Sequence, residues 1–129
     1  MSQIKIYGLK SSFACYRNTL SDVIHKAVVE ALAYPVDKKF HRFIGMSNED
    51  FFFPADRGSH YTIIEISMFE GRSVETKKTL IKLLFQYIEQ DVGIAPQDVE
   101  ITIFETPKHN WGIRGQCGDE LMLGYKVGV

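Results

Sequence analysis

Apolar and polar positions recur along this chain with two periods that alternate. Over residues 2–9 (SQIKIYGL), Ile4 and Ile6 alternate with Lys5 and Tyr7, the period of a strand with one buried face. From about Phe13 to Ala33 the period lengthens. Tyr16, Leu20, Val23, Ile24, Ala27, Val28 and Ala31 lie three or four apart, which predicts the apolar face of a helix. Ser11 or Ser12 is placed to cap its start. Pro35 is expected to close it, because the residue before a proline avoids helical angles. Residues 39–44 (KFHRFI) alternate again and predict a second strand.

Residues 46–60 (MSNEDFFFPADRGSH) follow neither period. Asp56-Arg57-Gly58 reads as a turn, and the segment is expected to be a linker. Phe51, Phe52 and Phe53 within it are expected either to pack beneath the linker or to anchor a subunit interface. Residues 62–69 (TIIEISMF) predict a third strand, so apolar that a central place in a sheet is expected. Ser73 can cap a second helix whose apolar face is Val74, Leu80, Ile81, Leu84, Tyr87, Ile88 and Val92, and Gly93 suits the left-handed position past its end. Residues 99–104 (VEITIF) predict a fourth strand. A polar loop, ETPKHNWGIRG, follows, and Met122 to Val127 predict a short edge strand.

The second half repeats the first. A shift of 60 sets Ser2 on Thr62, Ile4 on Ile64, Ile6 on Ile66, Leu9 on Phe69 and Leu20 on Leu80. Beyond the helices a shift of 61 sets Pro35 on Pro96, Asp37 on Asp98 and Phe43 on Phe104, and makes Lys39 and Glu100 equivalent. The chain is therefore read as one domain, residues 1–129, built of repeat one (about 1–60) and repeat two (about 61–129). The fold class is α+β: two tandem β-α-β units forming a four-stranded mixed sheet with both helices on one face. Each helical crossover is long enough to join parallel strands. With strands this apolar, the sheet face without helices also needs cover, and a closed oligomer is expected to supply it.

Composition narrows the function classes. The chain carries 15 Lys+Arg against 16 Asp+Glu, a formal net charge of -1, which gives no electrostatic footprint for nucleic acid or membrane surface. MSQIKIYGLK lacks a basic region followed by an apolar run, so no secretory leader is expected. No apolar stretch reaches the roughly 18 residues of a spanning helix. Cys15 and Cys117 fit neither a disulfide framework nor a zinc site, and the histidines lack metal-ligand spacing. No metal or cofactor and a cytoplasmic location are expected.

One set of motifs in order is more specific. A strand runs into Glu70-Gly71-Arg72-Ser73. Thr79-Leu80-Ile81 then lies in the helix, Ala95-Pro96 and Val99 lead the last strand, and Trp111-Gly112-Ile113 precedes Gly115. This order resembles the tautomerase superfamily, whose parent is oxalocrotonate tautomerase. The fused two-copy length is similar to the malonate semialdehyde decarboxylase and cis-chloroacrylic acid dehalogenase branches. The resemblance implies a homotrimer and an isomerase acting on a small 2-keto or enol carboxylic acid, by keto–enol tautomerisation or a related decarboxylation. It also implies an N-terminal proline whose buried amine takes a proton from carbon beside a carbonyl, and arginines that hold the carboxylate.

Residue by residue, the resemblance makes Arg72 the carboxylate-binding arginine and Trp111 an aromatic pocket wall. Lys39 stands where the parent tautomerase has another arginine. Arg114, with His109 and Asn110, flanks Trp111 and is expected to reach the pocket. Glu70 occupies the place of a second arginine in the decarboxylase branch. The proline position holds Ser2, and the chain's prolines are Pro35, Pro54, Pro96 and Pro107. With Met1 removed, the Ser2 amine would stand in the proline's place. The expected catalytic pair is thus Ser2 and Arg72, with Lys39, Trp111 and Arg114 binding substrate. The alternative is a non-catalytic trimeric member that binds a small anion or serves a structural role.

Overall fold

The structure, a computed structural model, describes residues 2–121. The strand predicted at Met122 to Val127 lies outside them, as does Met1. Strand β1 (Ser2–Leu9) passes directly into helix α1 (Lys10–Leu32), and strand β2 (His41–Met46) follows. After the linker come β3 (Thr62–Phe69), α2 (Val74–Val92) and β4 (Val99–Thr106). A small hairpin, β5 (Gly112–Ile113) and β6 (Gln116–Cys117), ends the described chain. No helix among the described residues is long and apolar enough to cross a membrane.

The four long strands form one sheet in the order β2-β1-β3-β4. The two crossover pairs, β1 with β2 and β3 with β4, are parallel, and β1 meets β3 antiparallel. The expected mixed sheet with helices on one face is therefore present. Period-two alternation turns Ile4, Ile6, Ile64 and Ile66 toward the helices, where each is at most 1% exposed. Leu20, Ile24 and Ala27 of α1 and Leu80, Leu84 and Ile88 of α2 complete that core.

Helix α2 begins and ends as its sequence predicts. Ser73 Oγ accepts a hydrogen bond from Thr76 N at 3.1 Å, and Gly93 takes the left-handed conformation at φ 82. Val74, expected on the apolar face, is instead 61% exposed in the first turn. Helix α1 departs further. It starts at Lys10, so the N-cap position falls on Leu9, whose apolar side chain cannot cap, and Ser12, already in the first turn, donates from Oγ to Ser59 O of the linker at 2.7 Å. It ends at Leu32, before the proline, with Ala33 left-handed at φ 50.

Strand register corrects the repeat. Ile4 pairs with His41 and Ile64 with Ile101, while Ile6 pairs with Phe43 and Ile66 with Ile103. The shift is 60 throughout the sheet, so Phe43 is equivalent to Ile103, not Phe104, and Lys39 to Val99, not Glu100. A one-residue slip would turn every side chain to the other face. Phe43 packs on the core, whereas Phe104 is 51% exposed on the opposite face.

That opposite face is also less apolar than expected. Ile44 and Ile63 are half-buried on it, beside Lys5, Glu65 and Ser67, because β3 spends its buried isoleucines on the helix side. Two of the three phenylalanines take the packing role. Phe51 and Phe53 pack on Tyr61 with ring centroids 5.7 and 5.1 Å away, and Phe52 is 88% exposed.

Candidate active site

Ser2 opens a strand in the middle of the sheet, opposite Met68 of β3, and is 4% exposed. Its backbone nitrogen donates to the hydroxyl of Tyr34 at 3.1 Å. Local geometry brings Tyr34 there. Once α1 ends, the left-handed Ala33 reverses the chain, and Tyr34 N closes back on Val29 O at 3.2 Å. The Tyr34 ring then enters the core, leaving the residue 4% exposed.

Arg72 reaches the same segment from the other repeat. Beyond β3 the chain turns at Gly71, whose φ of 124 is open to glycine and costly for other residues. The turn directs Arg72 inward, where it is 7% exposed, and its Nη1 donates to Leu32 O at 2.8 Å. Helix α1 has no basic residue in its last turn, so Arg72 brings positive charge to its negative C-terminal end. Ser2 and Arg72 thus meet through two neighbouring residues, Tyr34 and Leu32.

The other expected residues are placed differently. Continuing the β1–β2 register sets Lys39 beside Ser2. Its Nζ is 2.9 Å from Asp22 Oδ1 of α1, and that hydrogen bond and charge hold the Asp22 carboxyl below its usual range. Lys39 also lines a cavity of about 330 Å³ with Gln3, Phe40, His41 and Arg42. Trp111 packs edge-on against Phe69, which follows the Met68 that faces Ser2, with centroids 5.2 Å apart. Arg114 sits at the tip of the β5–β6 hairpin with φ 51. It lines a separate cavity of about 400 Å³ with Cys117 and Glu120, one that neither Ser2 nor Arg72 lines. Ser2 and Arg72 thus each bond to the segment 32–34, Lys39 continues the strand beside Ser2, Trp111 packs on Phe69, and Arg114 lines a different cavity.

Tyr34 was not among the expected site residues. Its signal was a polar-for-apolar difference between the repeats, since the uniform shift of 60 sets Tyr34 on Ile94, a core residue 1% exposed. His41 opens β2, two residues after Lys39. Its Nδ1 is 2.8 Å from Ser21 Oγ, and its buried Nε2 has no hydrogen-bond partner among the described residues. Burial, with the charges of Lys39 and His25, lowers its pKa to about 4. The ring is neutral at pH 7. Cys117, Asp119 and Glu120 bring donor atoms within 4.8 Å of one another on the surface. A hydrogen bond to Glu120 raises the Cys117 pKa and so disfavours the thiolate that binds metal.

Comparison with known proteins follows this geometry. A 2-hydroxymuconate tautomerase of Comamonas testosteroni is 40% identical over 57 residues, covering 44% of this chain and 90% of that protein. The solved malonate semialdehyde decarboxylase superposes with a TM-score of 0.79 at 22% identity, covering 88% of this chain and 92% of that one. A fused 4-OT solved as a symmetric trimer superposes with a TM-score of 0.78 at 19% identity, covering 91% and 96%. At those identities the two structures speak for the fold. Residues 38–114, more than half of the chain, match the tautomerase enzyme family, and with the doubled β-α-β sheet this places the chain in the tautomerase superfamily.

Proposed function

We propose that the protein is an isomerase acting on a small 2-keto or enol carboxylic acid, with the Ser2 amine as base and Arg72 binding the carboxylate. The observation that carries this is the difference between the two ends of the doubled sheet. One end gathers Ser2, Tyr34 and Arg72; the equivalent positions at the other hold Thr62, Ile94 and Ser12. The equivalent end folds with an apolar residue and a short hydroxyl in those places, so a buried guanidinium and phenol are not what the doubled frame itself requires. Similarity to 2-hydroxymuconate tautomerase supports an enol acid as substrate.

The reading requires removal of Met1. A free α-amine has an unperturbed pKa of about 7.7–8.0, and burial of Ser2 together with the Arg72 charge favours the neutral form. The neutral amine takes a proton from carbon beside the carbonyl while its electron pair passes to the oxygen. Returning the proton to that oxygen completes the keto-to-enol shift, and the same steps in reverse carry out ketonisation, with no net gain or loss. Arg72 neutralises the substrate carboxylate and the charge that develops on the oxygen. Lys39 and Trp111 serve as flanking cation and aromatic wall, and Arg114 reaches a site through a neighbouring subunit or not at all. A homotrimer fits both the half-buried Ile44 and Ile63 and the exposed Phe104 of the open face. Two free, exposed cysteines fit a reducing, cytoplasmic setting.

The test is direct. With Met1 removed, Ser2→Pro is expected to raise 2-hydroxymuconate or phenylpyruvate ketonisation, and Arg72→Ala to reduce it at least tenfold. Intact Met1 on turning-over protein, read by mass spectrometry, would rule out the Ser2 amine. Trapping with a 2-keto acid and borohydride checks whether the same amine also forms an imine. A second reading, a non-catalytic trimer that binds a small anion, is favoured by one observation: Arg72 already caps α1 through Leu32 O. It predicts anion binding by calorimetry without turnover, lost in Arg72→Ala.

A further inference from the structure

We infer that Tyr34 is a positioning residue for the N-terminal amine: its hydroxyl aims the Ser2 nitrogen and sets how readily that nitrogen holds a proton. The inference rests on the proposed role of the Ser2 amine as base. It starts from the 3.1 Å hydrogen bond that the backbone N–H of Ser2, here in its peptide bond to Met1, donates to Tyr34 Oη, both residues being buried; with Met1 removed the same nitrogen would keep that partner. An N–H tied to a fixed oxygen leaves the nitrogen lone pair a defined direction away from the phenol. When the amine takes a proton from substrate carbon, the new N–H bond forms as the C–H bond breaks. The pre-existing contact to Oη then becomes charge-assisted, and such bonds are roughly twice as strong as neutral ones. Tyr34 therefore stabilises the ammonium more than the amine, and opposes the burial that favours the amine.

The repeat supplies an internal comparison. Tyr34 and Ile94 follow equivalent helix ends, each after a left-handed residue, Ala33 at φ 50 and Gly93 at φ 82. Both side chains are buried in the same core. Ile94 fills its place without a hydroxyl, next to a strand start, Thr62, whose nitrogen lies in a peptide bond. The phenol stands at the end where a nitrogen can be free. Arg72 fixes the segment that carries it by holding Leu32 O, two residues before Tyr34.

The experiment uses the chain beginning at Ser2, verified by intact mass, as parent, Tyr34→Phe, Tyr34→Met and Tyr87→Phe. The last removes a hydroxyl bonded to Glu30 on the helix exterior and serves as control. The protonation of the Ser2 amine is read without substrate, by its rate of acylation with acetic anhydride across pH, quantified on the N-terminal peptide. Tyr34→Phe is expected to move the inflection down by about half to one pH unit, through loss of the charge-assisted bond. Its kcat for ketonisation should fall about tenfold with KM within twofold, and its acid limb should shift with the acylation inflection. Tyr87→Phe should match the parent. An unmoved inflection in folded Tyr34→Phe overturns the inference even if activity falls. Should that variant not fold, the same reading on Tyr34→Met decides it. A moved inflection in protein that ketonises nothing would instead sink the isomerase reading and leave the Tyr34 assignment standing.

Discussion

Acidification tests the packing beside the site. His41 lies between α1 and the edge of the sheet, with Nδ1 2.8 Å from Ser21 Oγ and a buried Nε2 that has no partner among the described residues. Lys39 and His25 face it with like charge, and Asp22 offers the weaker opposing one. Its folded pKa is about 4, against 6.5 when unperturbed. The unfolded chain therefore binds a proton more readily, and stability is full above pH 6.5 and falls as pH drops toward about 4. Below that the loss levels off. A shift of this size corresponds to at most about 3 kcal/mol. The ring is only partly buried, so solvent screening reduces the expected loss to about 1.5 kcal/mol. With a urea slope of about 1–3 kcal/mol/M for a small protein, the midpoint should fall by about 0.5–1.5 M more in the parent than in His41→Gln between pH 7 and pH 4. The carboxylates titrate alike in both proteins and cancel in that difference. Urea melts followed by circular dichroism at half-unit steps of pH measure it. Parallel midpoints across the range would refute a neutral, desolvated His41.

Three further substitutions test the frame. Ser73→Ala removes the cap on Thr76 N and should cost about 1 kcal/mol, a fall in Tm of about 4 °C for a chain of this size. Gly93→Ala forces a Cβ into a φ of 82 although no atom lies within 4 Å; thermal melts should show a loss of about 1 kcal/mol from backbone strain alone. Gly8→Ala places a Cβ 2.6 Å from the Phe13 ring, which is packed edge-on against Phe43. Overpacking of this kind should cost about 1–3 kcal/mol, and Gly8→Ala paired with Phe13→Leu should recover part of it in the same melts.

Local patterns were legible where one strand face or one helix cap decided the outcome. Residues 2–9 and 62–69 alternate, and β1 and β3 occupy those spans. Ser73 and Gly93 bracket α2 as their chemistry requires. What the sequence did not reveal depends on contacts between distant residues. Helix α1 begins at Lys10, ahead of both serines, and Ser12 binds instead the linker carbonyl of Ser59, 47 residues later. The repeat looked one residue longer past the helices because Pro35 and Pro96 align at 61. The strands keep 60 because hydrogen-bonded pairing, unlike a loop, admits no slip without exchanging core for solvent. At the site, Arg72 stood out by motif, whereas Tyr34 carried no motif and fell between the predicted helix end and Pro35. Its hydroxyl gains meaning only once β1 is laid beside the turn that follows α1.

The doubled unit offers two structurally equivalent strand starts, and their surroundings differ. The nitrogen of Thr62 lies in a peptide bond, so that end cannot host amine chemistry whatever its side chains. Its surroundings are correspondingly closed. Thr62 Oγ1 donates to His60 O at 2.8 Å, Gly58 N donates to Asp98 Oδ1 at 2.9 Å, and Ser12 secures Ser59. Phe51 and Phe53 lie over Tyr61, the residue just before the strand. The linker that joins the repeats therefore seals the end that connectivity had already disabled. At Ser2 the equivalent places carry a phenol and a guanidinium instead of Ile94 and Ser12, and both groups are more costly to bury than the residues they replace. A fold that accommodates the cheaper residues at one end needs a reason to bury the costlier ones at the other. The function proposed above, an amine at Ser2 with a carboxylate held by Arg72, would supply a chemical reason of that kind.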